Sequence, residues 1–245
     1  MNFYIPPNME ENYDAFLQTE VCKDIRWCRF FIPDDDANEW IEERAEITRL
    51  NYKSKQYGAD GSLPIRLSKK SKIKKGDVVE WEGKYYLVSW YVHNAIPDSQ
   101  ATMLDYCNVR GAFFRENEES EHIDHHTGEM LDEVPKYKKV THDVYGFYIL
   151  NGNYEKRLKN SQAGLFNDNR TSLMVQCNPD TKKIERGDLF VWHDEVHQVD
   201  DIALTEVDEN SEGILTIHLG LTLNDDALRY INEGDYEEDD DPYER

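Results

Sequence analysis

The chain of 245 residues carries 28 basic and 50 acidic side chains, a net charge of −22 with histidine neutral. A surface that negative is repelled by nucleic acid and by anionic membrane at long range, which excludes the basic footprint of a sequence-reading DNA binder. No apolar run approaches the roughly 18–20 residues a helix needs to cross a bilayer, and the N-terminal stretch has neither the basic start nor the apolar core of a secretory signal.

In chain order, residues 8–20 read as a helix. Asn8 is placed to cap it, Glu11 is its capping-box partner, and Met9, Tyr13, Phe16 and Leu17 recur at helical spacing. A second short helix is a candidate at Ala37–Ala45, with Trp40 and Ile41 as its buried side, although a loop between strands fits as well. Asp77–Trp81 and Lys84–Val92 then read as strands, and Glu82-Gly83 between them is a two-residue hairpin signal. Residues 116–135, dense in Glu, Asp and His, read as a linker or large loop. Ser172–Cys177, Asp188–Trp192, Val196–Val199 and Gly213–Leu219 continue the strand pattern, and the closing EGDYEEDDDPYER reads as a solvated tail or an arm ordered by a partner. Cys22, Cys28, Cys107 and Cys177 form no C-x-x-C pair and no zinc spacing, so they are expected as small core hydrophobes in a reducing cytosol.

Turn signals this frequent predict a mainly β fold: two small SH3-like or OB-like barrel or sandwich modules, with an N-terminal helix and an acidic C-terminal tail. The expected division is a helical arm and lead-in over 1–50, a first module over 51–115, the 116–135 linker, a second module over 136–232 and the tail over 233–245. An internal echo supports two modules. Ile73-Lys74-Lys75-Gly76-Asp77 precedes Trp81, and Ile184-Glu185-Arg186-Gly187-Asp188 precedes Trp192 at the same spacing. In each, isoleucine anchors in the core, glycine (Gly76, Gly187) supplies positive φ, and aspartate (Asp77, Asp188) bonds nearby amides as the chain enters a strand. A looser echo links Leu104–Asn108 with Met174–Asn178.

The chemistry-bearing residues are sparse. His122, His125 and His126, interleaved with Glu121, Asp124 and Glu129, are the one metal-like cluster. H-x-x-H-H has no helix to bring two rings to one face and no fourth ligand at a recognisable spacing, so it reads as an exposed polar loop, and neither metal nor cofactor is expected. No G-x-S-x-G, phosphate loop, G-x-G-x-x-G or H-E-x-x-H occurs, and the expectation is a protein without enzymatic activity. Basic residues gather at Arg66, Lys69, Lys70, Lys72, Lys74 and Lys75, with smaller groups at Lys136, Lys138, Lys139 and at Lys156, Arg157, Lys159. The first cluster is the candidate contact with other subunits, and after that with DNA.

The run Lys74–Val88, with Tyr106-Cys107-Asn108 beyond it, resembles structural proteins from the head-to-tail module of tailed bacteriophages of Gram-positive hosts, which carry "K-x-G-D-x-[VI]-x-x-x-G-x-x-[YW]-L-V" ending in "C-N". Asn178–Phe190, Val199–Ile202 and Gly213–Leu215 are similar to the same family's "D-x-x-T-K-K-I-x-x-G-D-R-F", "V-x-x-I-D" and "G-[IL]-[IL]", with Leu189 where arginine is usual. The resemblance covers residues 73–108 and 172–219. It implies a virion protein of the neck, assembled in the host cytoplasm. Such a protein forms a homo-oligomeric ring against the portal and adjacent connector or tail proteins, with viral DNA passing through and no membrane involved. Two other readings stay open on the sequence: another virion part such as a collar, tail or baseplate component, and an acidic decoy that mimics DNA to occupy a nucleic-acid enzyme.

Overall fold

In Lys23–Cys28 the apolar Ile25 and Trp27 alternate with the exposed Asp24 and Arg26, so an extended chain turns one face inward and one to water. The same alternation recurs in Leu63–Ser68, where Ile65 and Leu67 are buried and Arg66 is exposed. The computed structural model describes residues 9–33, 35–47, 62–90, 92–96, 99–117, 136–149, 171–192, 195–208, 210, 212–222, 225–234 and 236–237. The fold is mainly β, with a closed six-stranded barrel followed by a second sheet curled as a half-barrel.

The barrel is built from β1 (Lys23–Cys28), β2 (Ile41–Ile47), β3 (Leu63–Ser68), β4 (Val78–Trp81), β5 (Lys84–Val88) and β7 (Ser99–Tyr106), and the pairing of β3 with β7 closes it. β6 (His93–Ile96) resumes the path of β5 along β7 after a break. Its core contains Ile25, Trp27, Ile65, Leu67, Val79 and Leu104. Glu82 and Gly83 both have positive φ, 51° and 71°, as the expected hairpin turn requires. The second sheet contains β8 (Val109–Gly111), β9 (Phe113–Glu116), β10 (Tyr137–Lys139), β11 (Val144–Ile149), β12 (Thr171–Gln176), β13 (Leu189–Trp192), β14 (Glu195–Val207), β15 (Gly213–Thr222) and β16 (Tyr236–Glu237). Its core includes Phe113, Leu173, Val175, Phe190, Leu215 and Ile217.

The two sheets are register-matched copies. Val78 pairs with Leu87 and Trp81 with Lys84, as Leu189 pairs with Gln198 and Trp192 with Glu195. Val88 pairs with Leu104 and Leu104 with Leu63; Val199 pairs with Leu219 and Leu219 with Thr171. Glu46 faces Arg66 where Phe147 faces Met174, and Asp24 faces Arg44 where Arg110 faces Tyr145. The counterpart of β1 is broken at Ala112, so β8 stays with β11 while β9 goes to β13. That break opens the ring that the first module closes.

These pairings move the expected boundaries. Residues 23–47, assigned to the lead-in, supply two strands of the first barrel. The short helix expected at Ala37–Ala45 is instead β2, because Ile41–Ala45 must lie extended to pair with β1, and Ile41 is exposed. The first module ends at Tyr106, since residues 109–116 pair into the second sheet. The 116–135 stretch therefore falls within the second module rather than between modules, and 118–135 lies outside the described residues. The looser echo joins non-equivalent strands, β7 and β12. Helix α1 (Met9–Leu17) forms as expected, while its cap Asn8 lies outside the described residues. A further helix, α2 (Asp225–Glu233), was not foreseen, and Tyr236–Glu237 of the expected tail pairs with β10.

Candidate functional site

The turns of the echo are built alike down to their hydrogen bonds. Gly76 and Gly187 have φ of +93° and +94°. The Gly76 amide donates to Val88 O at 2.8 Å and that of Gly187 to Val199 O at 2.9 Å. Asp77 accepts from the Lys74 amide, and Asp188 from the Glu185 amide, each at 2.7 Å. Both carboxylates are buried among apolar strands, where an unpaired charge is costly.

An arginine meets each one, and the sequence reading missed both. Arg29 donates through Nε and Nη2 to the two Asp77 oxygens, each at 3.3 Å, and through Nη2 to Lys72 O at 2.6 Å. Arg115 donates to the Asp188 oxygens at 2.7 and 3.0 Å and to Lys183 O at 2.9 Å. Arg29 and Arg115 stand at equivalent positions, each one residue beyond the pair that meets the hairpin, Cys28 with Val78 and Phe114 with Leu189. Burial pushes the Asp77 carboxyl up to about 6, against the pull of Arg29. These four residues act as a clasp that fixes where each hairpin begins.

The first turn also lies on a seam between the modules. Cys28, Phe31, Val78 and Leu87 of the first module, with Cys107 just past its end, pack with Phe147 and Ile214 of the second, with Trp40, Tyr85, Tyr145 and Met174 around them. Gln176 crosses the seam. It accepts from the Phe31 amide at 2.7 Å and donates to Gly76 O at 2.7 Å, while Asn178 donates to Phe31 O at 3.0 Å. A Cβ on Gly76 would stand 2.2 Å from Gly213 O, so backbone touches backbone there. At Gly187, among the described residues, nothing lies within 4 Å of that position. Gly76 thus serves turn and seam together, and Gly187 the turn alone.

The basic cluster is largely consumed by ion pairs inside the chain. Lys74 meets Glu212 at 2.6 Å and Lys75 meets Glu206 at 3.0 Å, both across the seam. Lys70 meets Asp14 of α1 at 2.7 Å and Arg66 meets Glu46 at 3.6 Å. The Lys69 and Lys72 carbonyls accept from Gln100 and Arg29. The lysines beside the seam border a groove of about 270 Å³ lined also by Ile73, Val92, Val207 and Asp208. Lys75 is largely covered by its pairing, while Arg66, Lys70 and Lys74 remain about half exposed or more beside their carboxylate partners.

All four cysteines are free and buried, and burial raises their thiol pKa values. His122, His125 and His126 lie outside the described residues; among the described residues no group of three or more His, Cys, Asp or Glu side chains is placed to hold a metal ion. Among the described residues, no helix is long and apolar enough to cross a membrane.

The fold and the seam define a class of architecture: a tandem pair of register-matched β modules clasped through buried Arg–Asp turns. No family model matches the chain, and no curated protein does. One solved structure, the K. pneumonia MrkH–c-di-GMP complex, is similar at 13% identity over 92% of this chain and 90% of that one, with a TM-score of 0.21. A likeness that slight carries no argument about fold or ligand.

Proposed function

We propose that this chain is a non-enzymatic structural protein of the phage neck, a connector that joins portal or capsid to tail as part of a homo-oligomeric ring. The observation that supports this most is the placement of the two segments that carry the family resemblance. Both contain the same Gly-Asp turn and hairpin, at equivalent positions of two modules joined as one body. A stiff two-module unit suits a ring subunit, which must hold its shape while neighbours press on both sides. A strongly acidic chain suits the wall of a channel through which DNA slides without sticking.

Light scattering on the purified chain, alone and mixed with a portal-bearing capsid extract, tests the reading. Rings, or a smaller species that joins portal-bearing particles, support it. A strict monomer that ignores virion parts and binds a host nuclease or polymerase overturns it in favour of the decoy.

A further inference from the structure

The largest cluster of positive charge in this acidic chain lies on the first module. Arg66, Lys69, Lys70, Lys72 and Lys74 are all exposed, five cations within nine positions that run from β3 to the turn at the seam. Glu46, Asp14 and Glu212 each meet one of them, yet Lys70 keeps 79% of its side chain exposed beside Asp14. Ion pairs this exposed are weakly held, because water screens both charges. An ammonium with three donors can also take a second carboxylate without giving up the first. Lys69 and Lys72 hold Gln100 and Arg29 through backbone carbonyls, which leaves their charges out of those bonds.

The longest unbroken run of negative charge, residues 237–241, leaves from the second module. Its root is fixed twice. Ala227 of α2, fully buried, packs with Leu189 and Val196, and Tyr236 and Glu237 pair with Tyr137 and Lys138 of β10. Residues 238–245, outside the described residues, then carry five acidic side chains against one arginine. Eight extended residues reach at most roughly 26–29 Å, so a copy that takes them must pack against this one. At physiological ionic strength charges act over about 8 Å, so such a contact is decided by the local complement of charge and not by the net charge of two copies. A DNA duplex on the same patch would instead bring its phosphates against the acidic remainder of the surface.

We propose that the acidic segment 238–245 of one copy docks on the 66–74 patch of the next. The two surfaces belong to different modules, so the contact is head-to-tail, the kind that closes into a ring when the rotation between copies allows it. The contact rests on the reading of this chain as a ring subunit, for which it supplies the joint between neighbours.

The test mixes equal parts of isotope-labelled and unlabelled full-length chain and treats them with a carbodiimide, which joins a lysine amine to a carboxylate in direct contact. Mass spectrometry then locates the cross-links, and light scattering gives the mass of the same sample before treatment. The expected result is cross-links from carboxylates in 238–244 to Lys69, Lys70 or Lys72 that carry both isotopes, in a species of at least twice the monomer mass. Lys69→Glu combined with Lys72→Glu should return the mass to that of a folded monomer, as should Asp239→Lys, Asp240→Lys and Asp241→Lys together. Combining the two sets should restore it. Cross-links confined to one chain, cross-links to Lys136, Lys138 or Lys139 instead, or none between chains overturn the proposal. So does an oligomer whose mass neither reversal moves, a result that leaves the ring standing on some other contact. A ring that depends on both charge sets but ignores portal-bearing particles overturns the neck reading alone.

Discussion

Replacing Gly76 and Gly187 by alanine separates a turn from a seam, because the two glycines share a φ near +93° and differ only in what lies beyond them. Alanine at Gly187 meets open space, so its cost is the left-handed backbone alone, about 1–3 kcal/mol. Alanine at Gly76 bears the same cost and also drives Cβ to 2.2 Å from Gly213 O, which nothing but backbone movement relieves. Moving the seam apart breaks the Gln176 bond to Gly76 O and strands a buried amide, about 1–3 kcal/mol more. It also loosens the packing of Val78 and Ile214, each worth up to about 1.5–3 kcal/mol when fully buried. Gly76→Ala should therefore destabilise by about 2–4 kcal/mol more than Gly187→Ala, a large share of the 5–15 kcal/mol typical of a folded domain. Urea denaturation followed by tryptophan fluorescence measures both. Equal losses would refute the reasoning, since they would mean that the modules do not touch at Gly76.

The clasps yield a second prediction: Arg115→Met leaves the buried Asp188 charge unmatched and costs about 2–4 kcal/mol, and adding Asp188→Asn recovers part of it, as denaturation midpoints will show. Without recovery, the ion pair is not the cause. His197 is buried between strands, neither ring nitrogen finds a hydrogen-bond partner among the described residues, and burial lowers its pKa below the usual 6.5. The unfolded chain therefore binds that proton more readily, so the folded state loses stability as pH falls below about 6.5. His197→Leu should add about 1–3 kcal/mol at neutral pH, with a gain that widens toward pH 5. Asp77 has the opposite sign. With its carboxyl raised to about 6 from 3.8, the native state holds the proton longer, and this group's contribution falls as pH rises from about 4 to about 6. Stability measured across that window should drift in favour of Asp77→Asn over wild type. Finally, the four buried thiols should react with a disulfide reagent only as fast as the protein opens, and all at once in denaturant.

The parts of this fold legible in the sequence are those set by local chemistry. Glu82-Gly83 announced a hairpin because both positions take positive φ, and the Ile-x-x-Gly-Asp echo marked a duplicated strand entry. What escaped was set by contacts far apart in the chain. Ile41–Ala45 looks helical by composition until β1 is known to lie beside it. Arg29 and Arg115 sit 48 and 73 residues from the aspartates they meet, a separation no local pattern spans. The ion pairs within the basic cluster escaped for the same reason, because Glu206 and Glu212, which hold Lys75 and Lys74, are far from them in sequence. Helix α2 was readable in principle from Ala227, Leu228, Tyr230 and Ile231, whose spacing lines one helical face.

The strand order has a consequence for the order of synthesis. Every strand of the first barrel lies between Lys23 and Tyr106, so that barrel can close while the rest of the chain is still being made. Its seam face is then bare: Cys28, Val78 and Leu87 wait for Phe147, and for Ile214, which is made later still. Until those residues are made, the nascent protein shows a finished apolar surface whose own cover does not yet exist, which makes that interval the one in which a chaperone, or an aggregating neighbour, competes for it.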